Sequence, residues 1–251
     1  VHGIDPTLEL MDSLADRKLK LIPHVAARVV KDRRHLREIL ARIKGAGVNS
    51  VFCPGGDAPE AFGTYESSLQ LLRDMADIGH DIEEVGVASH PEGHALVEDD
   101  ELVKILLEKQ EIANYLVTQM CFDPALLINW LKGIREAGVT LQAWLGLPGV
   151  ADRGKLFKLS MRIGVGQSAK LLLRQKDLLK KMIQLKPYQP DELLAGLAPY
   201  MADEYLDIPG FHLFSFNDVE RTENWRKEAI RAYSAKSLPG AASAGQGEAH
   251  A

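Results

Sequence analysis

The chain has 251 residues, enough for one large domain or two small ones. It is 46% apolar and 26% charged with a net charge of -5, the mix of an ordinary globular protein and one that does not favour nucleic acid. No apolar run is long enough to cross a bilayer, no signal-like segment opens the chain, and two cysteines, Cys53 and Cys121, make no disulfide framework. A cytoplasmic protein without membrane association is therefore expected.

In chain order, short β-like runs alternate with amphipathic helices. Residues 6–15 read as a helix and 19–25 as a strand that ends in Pro23-His24. A helix over 33–44 follows, with Leu36, Ile39, Leu40 and Ile43 at helical spacing and Gly45 and Gly47 closing it. Strand 49–53 runs into Pro54-Gly55-Gly56-Asp57, and 66–78 is helical. Strand 82–89 leads to His90-Pro91-Glu92-Gly93-His94, then a helix over 99–110. Strand 115–121 precedes a helix from Pro124 to about residue 137, with Asp123 as its cap. Strand 140–145 ends near Gly146-Leu147-Pro148-Gly149. Segments 156–164, 168–184 and 190–201 are helical with no convincing strand among them. Strand 211–216 and a helix over 220–233 complete the pattern.

Six strands joined by helical crossovers imply a mostly parallel α/β sheet, as a doubly wound fold or a barrel. No Gly-x-Gly-x-x-Gly opens any crossover, which counts against a dinucleotide fold. A TIM (β/α)8 barrel needs eight strands, so its first two would lie before Val1. The expected domain is a single barrel over 1–236, with a helical insertion at about 152–209 before the last strand. The Ala/Gly-rich tail, 237–251, is expected to be flexible. In the insertion, Leu171, Leu172 and Leu173 exceed what one helix face needs, so a homo-oligomer interface is expected there.

The unusual polar residues fall where the strands run out, the end at which barrels gather their chemistry. His24 ends one strand, Asp57 follows the next, His90 and His94 the third, Gln119 the fourth and Asn217 the last. Each has a plainer reading beside the functional one. His24 can bond a loop carbonyl, Pro54 to Asp57 is ordinary turn chemistry, Tyr65 can pack at a helix start, and Phe122, Phe211, Phe214 and Phe216 suit a core. Gln119 is more telling, because an amide among Val117, Thr118 and Met120 must find partners, in the protein or in a heterocyclic ligand. Metal chemistry is not expected, since His90 and His94 flank a Pro-Glu-Gly turn rather than share a helix face. A Cys53 nucleophile is disfavoured as well, a cysteine at a strand end being more often core.

Taken in register, Pro23-His24, Gly56-Asp57, Tyr65, Pro91 to His94, Thr118-Gln119 with Phe122-Asp123, and the stretch 211–217 resemble the methylenetetrahydrofolate reductase family. The likeness runs from about residue 4 to residue 233. It implies an eight-stranded barrel that reduces 5,10-methylenetetrahydrofolate to 5-methyltetrahydrofolate, serving one-carbon metabolism and methionine biosynthesis, with FAD and with NADH or NADPH as reductant. By the same resemblance, His24, Gly55, Gly56, Tyr65, His94 and Lys109 would bind the flavin. Asp57 and Gln119 would be catalytic and hold the folate, with Phe214 and Asn217 also at the substrate.

The departures concern charge. The family's arginine before Gly-Asp is Gly55 here, and its Arg-Lys pair falls on Leu106 to Lys109, leaving only Lys109. The tyrosine of the last strand is Phe214, and the arginine after Asn217 is Asp218. A diphosphate wants fixed cations, so a looser flavin site or direct hydride transfer from nicotinamide to folate is compatible with this chain. The family's acid, a glutamate on the first barrel strand, would precede Val1. A methyl-transfer or demethylation protein on the same barrel, and a non-enzymatic folate-binding remnant, are the other readings.

Overall fold

A computed structural model describes residues 3–94, 97–165 and 187–236. Helix α1 (Asp5–Leu14) precedes α2 (Arg33–Gly45), β1 (Ser50–Cys53), α3 (Ser68–Ile78), β2 (Glu84–Ser89), α4 (Asp99–Lys109), β3 (Tyr115–Thr118), α5 (Pro124–Glu136) and β4 (Gln142–Pro148). Then come α6 (Arg153–Arg162), α7 (Asp191–Leu197), β5 (Gly210–Phe214) and α8 (Val219–Lys236). Local chemistry sets the helix starts. Asp32 accepts from His35 N, Ser67 and Gln70 form a reciprocal capping box, and Asp123 accepts from Ala125 N and Leu126 N ahead of Pro124.

The five strands form one parallel sheet in the order β1-β2-β3-β4-β5. Alternation divides its faces. Val51, Cys53, Val85, Val87, Leu116, Leu145 and Leu147 pack in the main core with the helices, against residues such as Leu36, Leu71, Met75, Leu127 and Leu131. Phe52, Tyr115 and Val117 cluster on the other face with Ala88 and Trp144.

The sheet is curled. His24, paired to β1, and His212 on β5 lie with ring centroids 6.3 Å apart, and Phe52 and His212 lie 6.5 Å apart. Four inter-strand gaps of about 4.8 Å would hold β1 and β5 about 19 Å apart in a flat sheet. The inner faces of the two outermost strands therefore turn toward each other, as in part of a barrel wall.

The strand expected over 19–25 is reduced to one parallel bridge, His24 to Phe52. Phe52 N donates to Pro23 O at 3.1 Å and Val25 N to Phe52 O at 2.8 Å. Pro23 has no N–H to give, Lys18 bends the chain at φ 39°, and Leu19 is 59% exposed, so nothing extends the ladder outward. β3 also ends earlier than expected, at Thr118, and β4 runs on to Pro148. Between α6 and β5 the described residues form α7, a 3₁₀ turn at Ala198–Tyr200 and one antiparallel bridge, Ala151 to Tyr188. The helix expected over 168–184 lies outside the described residues, as do Leu171 to Leu173 and the tail 237–251.

A second apolar cluster joins Leu156 of α6, Val165 and Tyr188 to Met120 and Phe122, with Phe214 and Phe216 against it. The segment after β4 thus packs beside the C-terminal ends of β3 and β5. At the opposite end, the Arg135 guanidinium, in the last turn of α5, is buried among backbone carbonyls. It donates to Val139 O (2.8 Å), Leu141 O (2.7 Å) and Leu206 O (2.9 Å). Among the described residues no helix is long and apolar enough to cross a membrane.

Candidate functional site

Because every strand points the same way, the segments following β1, β2, β3 and β5 emerge at one end of the sheet. Asp57, His90, His94, Gln119 and Asn217 all lie on those segments. The segment 54–57 is held down by pairing, with Ala27 N donating to Pro54 O and Arg28 N to Gly55 O, each at 3.0 Å. Gly56 sits at φ +99°, and a Cβ there would lie 3.3 Å from Ala26 Cβ, so the turn calls for glycine. Gly55 faces open space. Asp57 is exposed and makes no hydrogen bond to the described residues.

Gln119 directly follows β3, its N–H donating to Ser89 O at 2.7 Å. Its side-chain oxygen accepts from Met120 N at 3.0 Å, while its amide nitrogen donates to none of the described residues. Beside it, β4 passes so close at Gly146 that a Cβ there would overlap Thr118 O. A Cβ there would come 3.1 Å from the Gln119 carbonyl carbon and 2.8 Å from the Phe214 ring. Past Phe214 the chain turns through two left-handed residues, Phe216 (φ 51°) and Asn217 (φ 65°), and Lys155 Nζ donates to Phe216 O at 3.3 Å. Asp218 is bound by Arg221, whose hydrogen bond holds the carboxyl below its usual range.

His90 and His94 face each other edge-on at 5.0 Å. His94 also borders an open pocket of about 450 Å³ between the β2–α4 segment and Gly164. Burial, then the charges of His94 and Lys109, bring the His90 imidazole down to about 4. His212 packs edge-on against Phe214 at 4.8 Å and is likewise lowered to about 4, by burial and then by His24. His24, although its edge is open to solvent, is lowered by burial against Phe52. All three imidazoles are neutral at pH 7.

Two expected ligand residues are buried. Tyr65 is buried among the helices, its hydroxyl donating to Asp74 Oδ2 at 2.7 Å, with Arg33 on the same carboxylate. Lys109 lies in the last turn of α4 and is only 7% exposed, close enough for its charge to act on His90 and Cys53. Burial lowers its ammonium to about 8. Cys53 contacts Met75 Sδ at 3.8 Å on the helical face, and burial pushes its thiol up to about 12, so it is no nucleophile at neutral pH. Both cysteines are buried and neither is in a disulfide. Among the described residues no three His, Cys, Asp or Glu side chains converge as metal ligands.

Two residues of this region escaped the sequence analysis. His212 carried a readable signal, since alternation along 211–216 puts it on the same face as Phe214. Arg28 carried none, because its partners lie about 30 residues downstream.

The buried imidazoles give a pH prediction. In the folded chain His90 and His212 resist protonation down to about 4, whereas unfolded imidazoles titrate near 6.5. Below that value the unfolded state takes up the extra protons, so stability should fall as pH drops from about 6.5 toward 4 and be unaffected by these groups above it. Thermal melting from pH 7.5 to 4.5 should show the decline, and the His90→Asn, His212→Asn double variant should flatten it. An equal slope in both proteins would count against this account.

Comparison with known proteins follows the same residues. The methylenetetrahydrofolate reductase family model matches residues 5–160, and the chain belongs to that family. Methylenetetrahydrofolate reductase 1 of Schizosaccharomyces pombe (strain 972 / ATCC 24843) is 38% identical over 65 residues, which cover 25% of this chain and 11% of that protein. Among solved structures, a phosphonopyruvate hydrolase aligns at 12% identity and TM-score 0.44, over 92% of this chain and 79% of its own. The chitinase domain of the spore coat protein CotE from Clostridium difficile aligns at 14% identity and TM-score 0.41, over 96% and 86%.

Proposed function

We propose that this protein reduces 5,10-methylenetetrahydrofolate to 5-methyltetrahydrofolate with NADH or NADPH. The observation that carries the reading is Gln119. In a member of this family, an amide whose nitrogen donates to none of the described residues follows β3 at the same end of the sheet as Asp57. A pterin edge offers the alternating donors and acceptors such an amide matches. Asp57 orients the pterin and biases the electrostatics near the reacting nitrogens, with Phe214 and Asn217 bordering the substrate. The sheet belongs to an eight-stranded barrel, and residues 1–236 form one domain. Its curl and the half-buried edge strand β5 support this. Two buried cysteines without a disulfide suit a cytoplasmic location.

At the positions where the family carries its cations, the described residues offer no clamp for the diphosphate of FAD. Gly55 has no charge to offer, Lys109 is buried in the last turn of α4, Asp218 is tied to Arg221, and the Arg28 guanidinium is spent on loop carbonyls and Glu66. The flavin that the resemblance implies therefore lacks a cationic clamp among them, and we assign direct transfer. An acid protonates the folate nitrogen N10, the N10–methylene bond opens to an N5 iminium, and hydride passes from the dihydronicotinamide to that carbon, leaving oxidised nicotinamide and the N5-methyl product. His24 and His94 remain at the strand ends, where a planar nicotinamide would stack.

One preparation of full-length protein tests this. Its visible spectrum should lack a flavin band, and NADH or NADPH oxidation should depend on methylenetetrahydrofolate without added FAD. Oxidation that appears only with FAD would restore the flavin. No folate-dependent oxidation under either condition would end the reductase reading and favour methyl transfer.

A further inference from the structure

The loop that carries Asp57 is fastened by one side chain. Arg28 Nε donates to Ala58 O at 2.7 Å, Nη2 to Pro59 O at 2.9 Å, and Nη1 to Glu66 Oε2 at 2.9 Å and Glu66 O at 3.3 Å. The Arg28 backbone holds the loop as well, its N–H on Gly55 O (3.0 Å) and its carbonyl accepting from Phe62 N (2.8 Å). At Gly63 the loop then passes so close to Lys31 that a Cβ there would overlap Lys31 O. The residues on either side of Asp57 are thus bound to residues 26–28, while Asp57 itself is exposed and bound to no described residue. Where its carboxylate points is decided by the loop, and the loop by Arg28.

Exposed ion pairs contribute little, and Glu66 is 66% exposed, so charge alone does not explain the arrangement. The Arg28 side chain as a whole is only 20% exposed. Its planar fork spans two successive carbonyls and the end of the loop, which a lysine ammonium cannot do at once.

We propose that Arg28 is a positioning residue for the folate reaction, setting the Asp57 carboxylate through the 55–66 loop. The proposal rests on the assignment of Asp57 to the substrate. In full-length protein, Arg28→Ala should lower kcat about ten- to a hundredfold, the cost of misplacing a reacting-site group by about an ångström. Hydrogen exchange should quicken at residues 57–62 and stay unchanged in the sheet. Arg28→Lys, which keeps the charge and guards against a folding failure, should recover part of the rate. In an Asp57→Ala background, Arg28→Ala should cost almost nothing further, because both act through one carboxylate. The same factor in both backgrounds would overturn the proposal. So would a lowered Tm with kcat and KM unchanged below it, or unaltered exchange in the loop. If Asp57→Ala alone leaves turnover intact, the assignment of Asp57 fails, and this proposal with it.

Discussion

Asp57→Ala is expected to lower turnover about 10²-fold or more while leaving the melting temperature where it is. The activity loss follows from the role proposed for the carboxylate, which acts where charge shifts during hydride transfer. Preorganised groups at such positions are worth about 10²–10³ in kcat. The stability argument is independent of the reaction. Asp57 is exposed, makes no hydrogen bond to the described residues, and follows Gly56, whose left-handed backbone already sets the turn. A surface change away from caps, cores and ion pairs stays within about 0.5 kcal/mol. Steady-state oxidation of NADH or NADPH with methylenetetrahydrofolate, beside a melting curve, separates the two effects. Unchanged turnover would remove Asp57 from the site, and a large fall in Tm would show that it supports the loop instead.

Arg135→Met should do the reverse. The side chain is 9% exposed and carries donors to three carbonyls, Val139 O, Leu141 O and Leu206 O. These lie in the turn leading to β4 and in the approach to β5, so one guanidinium ties α5 to both. Methionine fills much of the volume and supplies no donor, leaving the acceptors buried and unpaired. Each such group costs about 1–3 kcal/mol, so the three together cost at least about 3 kcal/mol. For a domain of this size that is a fall of about 10 °C in Tm. Arg135 sits in the last turn of α5, at the end of the sheet opposite Asp57 and Gln119, so kcat at 20 °C should change less than about twofold. A Tm within about 2 °C of the unaltered protein would mean that water replaces the guanidinium at these carbonyls.

Much of the architecture was legible before any coordinates. The helix start at Asp123 follows from a side chain that bonds the first free N–H groups, a matter of three or four neighbouring residues. Helical crossovers between strands oblige a parallel sheet, and a parallel sheet sends every strand's C-terminus to one end. That is why Asp57, His94, Gln119 and Asn217 share an end of the sheet without any contact having been read.

Tertiary structure decided what periodicity cannot express. The curl of the sheet brings His24 and His212 within 6.3 Å, although they stand at its opposite edges, and it makes His212 part of the inner face. Whether 19–25 becomes a strand depends on a neighbour on its outer side, and among the described residues it keeps only the bridge to Phe52. Tyr65 and Lys109 match the family by position, yet Asp74 claims the first and burial beneath the helices the second. Arg28 and Arg135 bind acceptors up to 38 and 71 residues away. Amphipathic spacing reports which face of an element is buried, a local property. Which carbonyl a guanidinium meets depends on register and curvature, and these are set only when all the elements pack at once.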